Sequence, residues 1–384
     1  MIEKKNISIF KRKTLVFLYA FFSAGLFTLF WILAGEKWKV FGDAVQYLAV
    51  YHNDPATAPF GYRILVPYLA RLFPFGATVN FAIVTIAFLI LTNLVIVKYS
   101  QLKNHSPVHC LVFSLFWLCS FAFVYYVTTW IRADAPMLFL LALIILLSQY
   151  RISVFALFFI LALGLLSHET MLIGLFMLWI DNIFHGSFTG GNRYKYYELI
   201  FITLLLILFW VLTRYWISVK VSSDLNYTNS FFALFTYVLE YSGGLFKHGM
   251  RIYAAYGPVL IYSFLFITRH QKNNKISFFS FLFAALVATF FATDTLRVMA
   301  IIYFPVLYYA ANYIELLWKN KQQIKAISLV LLQMSYSYIV YGHLRTFEQS
   351  LLLTVIAALL SAAALLITLF HNKSISGPPA RTVS

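Results

Sequence analysis

The ionisable residues of this 384-residue sequence gather in short segments between long apolar stretches, and three of those segments carry residue types suited to chemistry. The first contains Gly42-Asp43, then His52-Asn53-Asp54, then Gly61-Tyr62-Arg63. The second, Trp130-Ile131-Arg132-Ala133-Asp134, carries an arginine and an aspartate two residues apart. The third, Asp294-Thr295-Leu296-Arg297, carries them three apart, a spacing that allows an i,i+3 ion pair on a helix's first turn with Asp294 as cap. An aspartate in such a place can orient or deprotonate a nucleophile, and an arginine can bind a phosphate bidentately. The ordinary alternative is a set of capping and solvated loop charges. His168-Glu169 differs, because it lies deep in an apolar stretch, where ionisable residues are rare and are functional candidates by default. A helical zinc site would need a second histidine four residues on, and Leu172 stands there. Lys247, His248 and Arg251 form a basic cluster suited to headgroups or a phosphate. Neither a P-loop, nor a dinucleotide fingerprint, nor a Gly-x-Ser-x-Gly turn is present.

Apolar helices must position these residues. Hydrophobic residues make up 62% of the chain and charged residues 11%, against about 45–50% and about 25% in soluble domains. Aromatic residues reach 19%, which suits helices that meet lipid and end in rings at headgroup level. The net charge of +16 comes mostly from short loops, not from basic runs, which argues against nucleic acid as a partner. Stretches near spanning length fall at 14–34, 77–97, 107–127, 135–150, 198–218, 252–268, 276–293, 298–314, 326–341 and 350–370. The region 152–180 is too long for one span and short for two. It is read as two short helices meeting at Ser167-His168-Glu169-Thr170, an arrangement that needs cover from protein or a wet cavity. The expectation is an all-α, polytopic transmembrane helical bundle of about ten to twelve spans.

Lys4, Lys5, Lys11, Arg12 and Lys13 precede the first stretch, which reads as an uncleaved anchor with a cytoplasmic N-terminus. With that orientation, 18 of the 29 Lys and Arg fall inside, while nine of the 13 acidic residues fall outside. The chain then reads as one transmembrane domain over 1–373, with a first outer loop at 35–76 and a disordered cytoplasmic tail at 374–384. After Arg63, the residues Ile64, Leu65, Tyr68, Leu69 and Leu72 recur at helical spacing, with Pro67 tolerated near the start. That predicts a short helix lying along the interface. Cys110 and Cys119 are about 13 Å apart on one expected helix, too far to bridge.

This layout resembles the C-type (GT-C) superfamily of integral membrane glycosyltransferases, which move a sugar from a polyprenyl-phosphate carrier on the outer face of a membrane. The shared features are a cytoplasmic N-terminus, one span, a first outer loop with an aspartate and an interfacial helix, and then many spans. The resemblance implies a lipid-linked sugar donor, a glycan, lipid or protein acceptor, contact with membrane lipids, and a place in a bacterial inner membrane. It carries the family's first-loop acidic residue onto Asp43. Asp54, Asp134 and Glu169 join Asp43 as catalytic candidates on position alone. Arg63, Arg132, His168, Lys247, Arg251, Asp294 and Arg297 are the candidates for binding substrate. Many relatives carry paired first-loop acids and a soluble C-terminal domain. Here Gly42 precedes Asp43, so a divalent metal stays an open question, and no soluble domain is expected. Two other readings fit the charges: a surface-polysaccharide polymerase or ligase, for which the late outer loops are short, and a transporter of anionic solutes, which would spread charges over several depths. A scaffold without activity is the fourth.

Overall fold

The structure is a computed structural model that describes residues 2–34, 42–57, 60–150, 152–184, 194–218, 221–222, 244–271, 274–289, 295–343 and 351–369. Asp294 and the tail at 374–384 lie outside the described residues. Helix α1 (Ile2–Ala34) leads into the first loop, which holds α2 (Asp43–His52), β1 (Ala56–Thr57), a single 3-10 turn (Phe60–Tyr62) and α3 (Leu65–Ala70). There follow α4 (Ala77–Leu102), α5 (Pro107–Leu118), α6 (Phe121–Thr128), α7 (Asp134–Ser148), α8 (Val154–Ser167), α9 (Met171–Ile183) and α10 (Tyr196–Ser218). The remainder comprises β2 (Val221–Ser222), α11 (Gly244–Ala254), α12 (Pro258–His270), α13 (Lys275–Thr289), α14 (Thr295–Met299), α15 (Tyr303–Lys319), α16 (Gln323–Val340) and α17 (Leu351–Leu369).

Among the described residues, four stretches are long and apolar enough to cross a membrane: Thr14–Ala34, Ala77–Leu102, Tyr196–Ser218 and Arg297–Lys319. The pair α5 and α6, bent by 46°, makes a fifth if taken as one span. This is a helical membrane protein. Five shorter apolar helices, such as α7, α8 and α9, each fall below the roughly 20 residues that a hydrocarbon core of about 30 Å requires. The larger count of ten to twelve is reached only by including such helices. Their ends are closed locally: Ser106, Ser120 and Ser153 each accept a backbone N–H at the start of α5, α6 and α8. The two short helices expected at 152–180 are α8 and α9, with the break at His168, and the Ser167 hydroxyl there donates to the Ala133 carbonyl.

Two helices set the polarity of the molecule. At the start of α4, the Asn80 amide donates to the Phe73 and Phe75 carbonyls at 2.9 and 3.0 Å and to the Tyr51 hydroxyl at 3.1 Å. Just beyond its other end, about 38 Å away at 1.5 Å per residue, the Ser106 N–H donates to Glu315 at 3.0 Å and His105 bonds the same carboxylate at 3.0 Å. The stretch from α14 through α15 runs the opposite way, from Arg297 near the first loop to Glu315. The stretch 297–319 is the enclosed centre of the bundle, with 94% of its apolar window buried, against 17% for α10, which faces lipid.

The short helix expected after Arg63 is α3, six residues long. The first loop differs from its expected form in that the segment from Asp43 is itself a helix, α2. Arg71 donates to the Val50 and Tyr51 carbonyls at the end of α2, and Asn53 takes the left-handed conformation that closes it. Among the described residues, the one departure from an all-α chain is a parallel ladder of two residues, β1 on β2, which ties this loop to the segment after α10. Cys110 and Cys119 are both buried, and no disulfide joins them.

Placing these ends on opposite sides of a membrane makes a prediction. His52→Cys and Lys321→Cys, both exposed positions, react with an impermeant maleimide from opposite sides of sealed vesicles. Labelling of both from one side would overturn the arrangement.

Candidate functional site

Seven of the sequence candidates converge at the end of the bundle that carries the first loop. Asp43 opens α2, Arg63 follows the 3-10 turn, Arg132 and Asp134 flank the start of α7, His168 and Glu169 occupy the α8–α9 break, and Arg297 sits on α14. Arg297 bridges two carboxylates: Nη1 donates to Asp43 Oδ2 at 2.7 Å, and Nη2 donates to both oxygens of Asp134 at 3.0 and 2.8 Å. Arg132 donates to the same Asp43 Oδ2. Arg63 grips Glu169 with two parallel hydrogen bonds, Nε to Oε2 at 3.0 Å and Nη2 to Oε1, and donates from Nη1 to the Tyr47 hydroxyl at 2.9 Å. This fork geometry is the strongest kind of carboxylate–guanidinium pairing.

Burial sets the electrostatics. Arg63 is 6% exposed and Asp134 3%, whereas the side chains of Asp43 and Glu169 keep 26% and 30%. Three carboxylates face three guanidiniums, so the set is charge-balanced if His168 is neutral. Burial pulls the His168 imidazole down to about 4, with the Arg63 charge adding to the effect and outweighing Glu169 and Asp134. Its Nδ1 accepts the Thr170 N–H at 3.2 Å, which puts the proton of the neutral ring on Nε2, 3.5 Å from Asp134 Oδ1. Burial would push the Glu169 carboxyl up, but its charged surroundings hold it well below the usual carboxylate range. At the low pH where Glu169 titrates, His168 is protonated, and its charge lowers the carboxyl first, with the Arg63 guanidinium and its hydrogen bonds adding to it. Burial lowers the Arg63 guanidinium while Tyr47 and Glu169 raise it above its ordinary value, so it stays charged.

The pairings seen among the described residues join positions far apart in the chain. Arg132 and Asp134 bond different partners from each other, and Arg297 reaches Asp43 and Asp134, 254 and 163 residues away. The solvated-loop alternative fails for Arg63, Asp134 and His168, which are buried. Asp54 does not join the cluster. It is exposed beyond the far end of α2, where it lines a groove of about 260 Å³ with Asn53, Tyr68 and Trp216. Lys247 lies in α11 with only its backbone described, and Arg251 is half-buried on α11, which packs against α14. Sequence reading missed Tyr47. Its signal was available: in a helix starting at Asp43, Ala44, Tyr47 and Val50 share one face, and all three are buried.

Both arginines on Asp43 take Oδ2, which leaves Oδ1 outside that bridge. The site therefore combines a partly open carboxylate with two adjacent guanidiniums. Among the described residues, no group of three or more His, Cys, Asp and Glu is placed to hold a metal ion. A scan against protein-family models, and searches of curated proteins and of solved structures, find no match to this chain.

Two outcomes follow from these pairings. Arg63→Gln strands Glu169 and lowers stability by about 3–5 kcal/mol, and the double variant Arg63→Gln with Glu169→Gln recovers much of it, both read by thermal unfolding in detergent. His168 has a folded value below its unfolded value of about 6.5, so its contribution is complete above that pH and declines as pH falls toward about 4. The wild type therefore loses more thermal stability between pH 7 and pH 4.5 than His168→Gln does.

Proposed function

We propose that this protein is a membrane glycosyltransferase of the GT-C type, moving a sugar from a polyprenyl-phosphate donor to an acceptor hydroxyl at the outer face of a bacterial inner membrane. The observation that carries the reading is the meeting of Asp43, from the loop after the first span, with Arg132 and Arg297 at one end of the bundle. Sugar transfer from a lipid phosphate needs these two functions side by side: cations for the leaving phosphate and a carboxylate for the incoming hydroxyl.

In the proposed reaction, the donor phosphate draws Arg132 and Arg297 away from Asp43 Oδ2, while Asp134 keeps its hold on Arg297. Asp43 is then free to accept the acceptor's hydroxyl proton. The hydroxyl oxygen attacks the anomeric carbon, the bond from that carbon to the phosphate oxygen breaks, and the electron pair leaves with the phosphate on its lipid. Fixed guanidiniums stabilise that charge without reorganising, an effect strengthened where water is excluded. Carboxylates are weak bases. The role of Asp43 in this scheme is to orient the hydroxyl and take the proton late, as the new bond forms. Attack opposite the leaving phosphate inverts the anomeric configuration.

A transporter would carry charges at intermediate depths along its path. Residues 78–97 of α4 and 303–314 of α15 contain no Asp, Glu, Lys or Arg, which favours a one-sided site. The test is transfer of radiolabelled sugar from synthetic polyprenyl-phosphate sugars by the reconstituted protein. Asp43→Asn is expected to reduce transfer by about 10²–10⁴-fold while leaving thermal unfolding near wild type. Unchanged transfer in that variant, or a product with retained configuration, would overturn the scheme.

A further inference from the structure

Arg214 differs from the three arginines of the charged cluster. Each of those is already bonded to a carboxylate, whereas Arg214 makes no ion pair among the described residues. Aromatic rings hold it instead: its guanidinium carbon lies 4.1 Å from the centroid of Tyr62 and 4.9 Å from that of Trp210. Such contacts hold the cation by attraction to the rings and spend none of its N–H donors on a carboxylate.

The surroundings fit a phosphate carried by a lipid. Arg214 lies near the end of α10, the helix that faces lipid, and Leu208, Leu212, Tyr215 and Trp216 of that helix are exposed. Exposed rings next to apolar helix surface mark headgroup level. Beside Arg214 is a narrow crevice, which Arg63, Glu169 and Thr213 also line. Two guanidiniums against one carboxylate leave a net positive wall. A phosphate would meet this wall from outside the crevice, with the exposed face of α10 open to its hydrocarbon tail.

We infer that Arg214, held between Tyr62 and Trp210, is a binding site for the phosphate of an anionic lipid at the lipid-facing side of the Arg63–Glu169 pair. This site is separate from the Asp43 cluster. Its part in presenting a lipid-linked substrate rests on the glycosyltransferase reading, but its ligand chemistry does not.

The test is a titration of the purified full-length protein in detergent with farnesyl phosphate, followed by tryptophan fluorescence and native mass spectrometry, with no sugar donor present. Arg214→Gln is expected to weaken binding about ten- to hundredfold, the range of one charge-assisted hydrogen-bonded contact. Arg214→Lys keeps part of it, as a point charge without the fork. Trp210→Leu, which keeps the cation and removes one ring, also weakens it. Farnesol, which lacks the phosphate, does not bind, and inorganic phosphate binds at least tenfold more weakly than the ester. Equal affinity for farnesyl phosphate in wild type, Arg214→Gln and Trp210→Leu would overturn the site. Inorganic phosphate binding as tightly as farnesyl phosphate would overturn the lipid as its source. Because this readout involves no transfer, a protein that binds farnesyl phosphate through Arg214 yet transfers no sugar would overturn the enzymatic reading alone.

Discussion

A guanidinium or carboxylate taken out of water must find a partner, because removing one member of a buried pair costs several kcal/mol. At the loop-bearing end of this bundle, that requirement falls on Arg297. It bridges Asp43 and Asp134, and so joins the start of α2, the start of α7 and the short helix α14 at one point. Arg132 adds a second tie to Asp43, and Arg63 fastens the first loop to the α8–α9 break through Glu169, 106 residues away. Of these elements, α2 and α14 are short, at ten and five residues, and offer little apolar face of their own. The short helices of the first loop are held against the bundle by charge pairing as well as by the packing of Tyr47, Val66 and Phe81.

Broken helices make such a cluster feasible inside an apolar protein. A continuous span buries its backbone groups in its own hydrogen bonds and offers few positions for charge. The break at His168 instead exposes polar groups that the surroundings then satisfy, with the Ser167 hydroxyl on the Ala133 carbonyl and Thr170 on His168. The same device recurs lower in the bundle, where the Ser337 hydroxyl donates to the carbonyl of Cys119 at the kink between α5 and α6. Between the charged cluster and the His105–Glu315 pair at the far end, α4 and the central helix α15 are uncharged, so the two polar regions are insulated from each other.

Charge balance also shapes what the cluster can do. Its three guanidiniums are all bonded, so an incoming phosphate has to compete with Asp43 for Arg132 and Arg297, and success in that competition is what would release the aspartate. Binding and activation become one event. Arg214 represents the other way of keeping an arginine near lipid, where aromatic faces replace a carboxylate and no internal partner must be displaced.

The sequence alone determined much of the local structure. Apolar stretches separated by basic turns are enough to place α1, α4 and α10, and the polar tetrad at 167–170 is enough to split 152–180 into α8 and α9, because each reports how a segment must meet lipid. It also supplied the right charged residues: Asp43, Arg63, Arg132, Asp134, His168, Glu169 and Arg297 are all in the cluster. It did not supply their pairing. Spacing points only to near neighbours such as Asp294, which lies outside the described residues, while the structure sends Arg297 to Asp43 and Asp134 and leaves Asp54 in a separate groove. Nor did it show that Asp43 begins a helix, since α2 is amphipathic over only ten residues and leans on α3, α4 and the Arg71 cap for its stability. Periodicity records a residue's relation to solvent within a few turns. Which helix ends share a face of the bundle, across 100 to 250 residues of chain, is decided only when the helices pack.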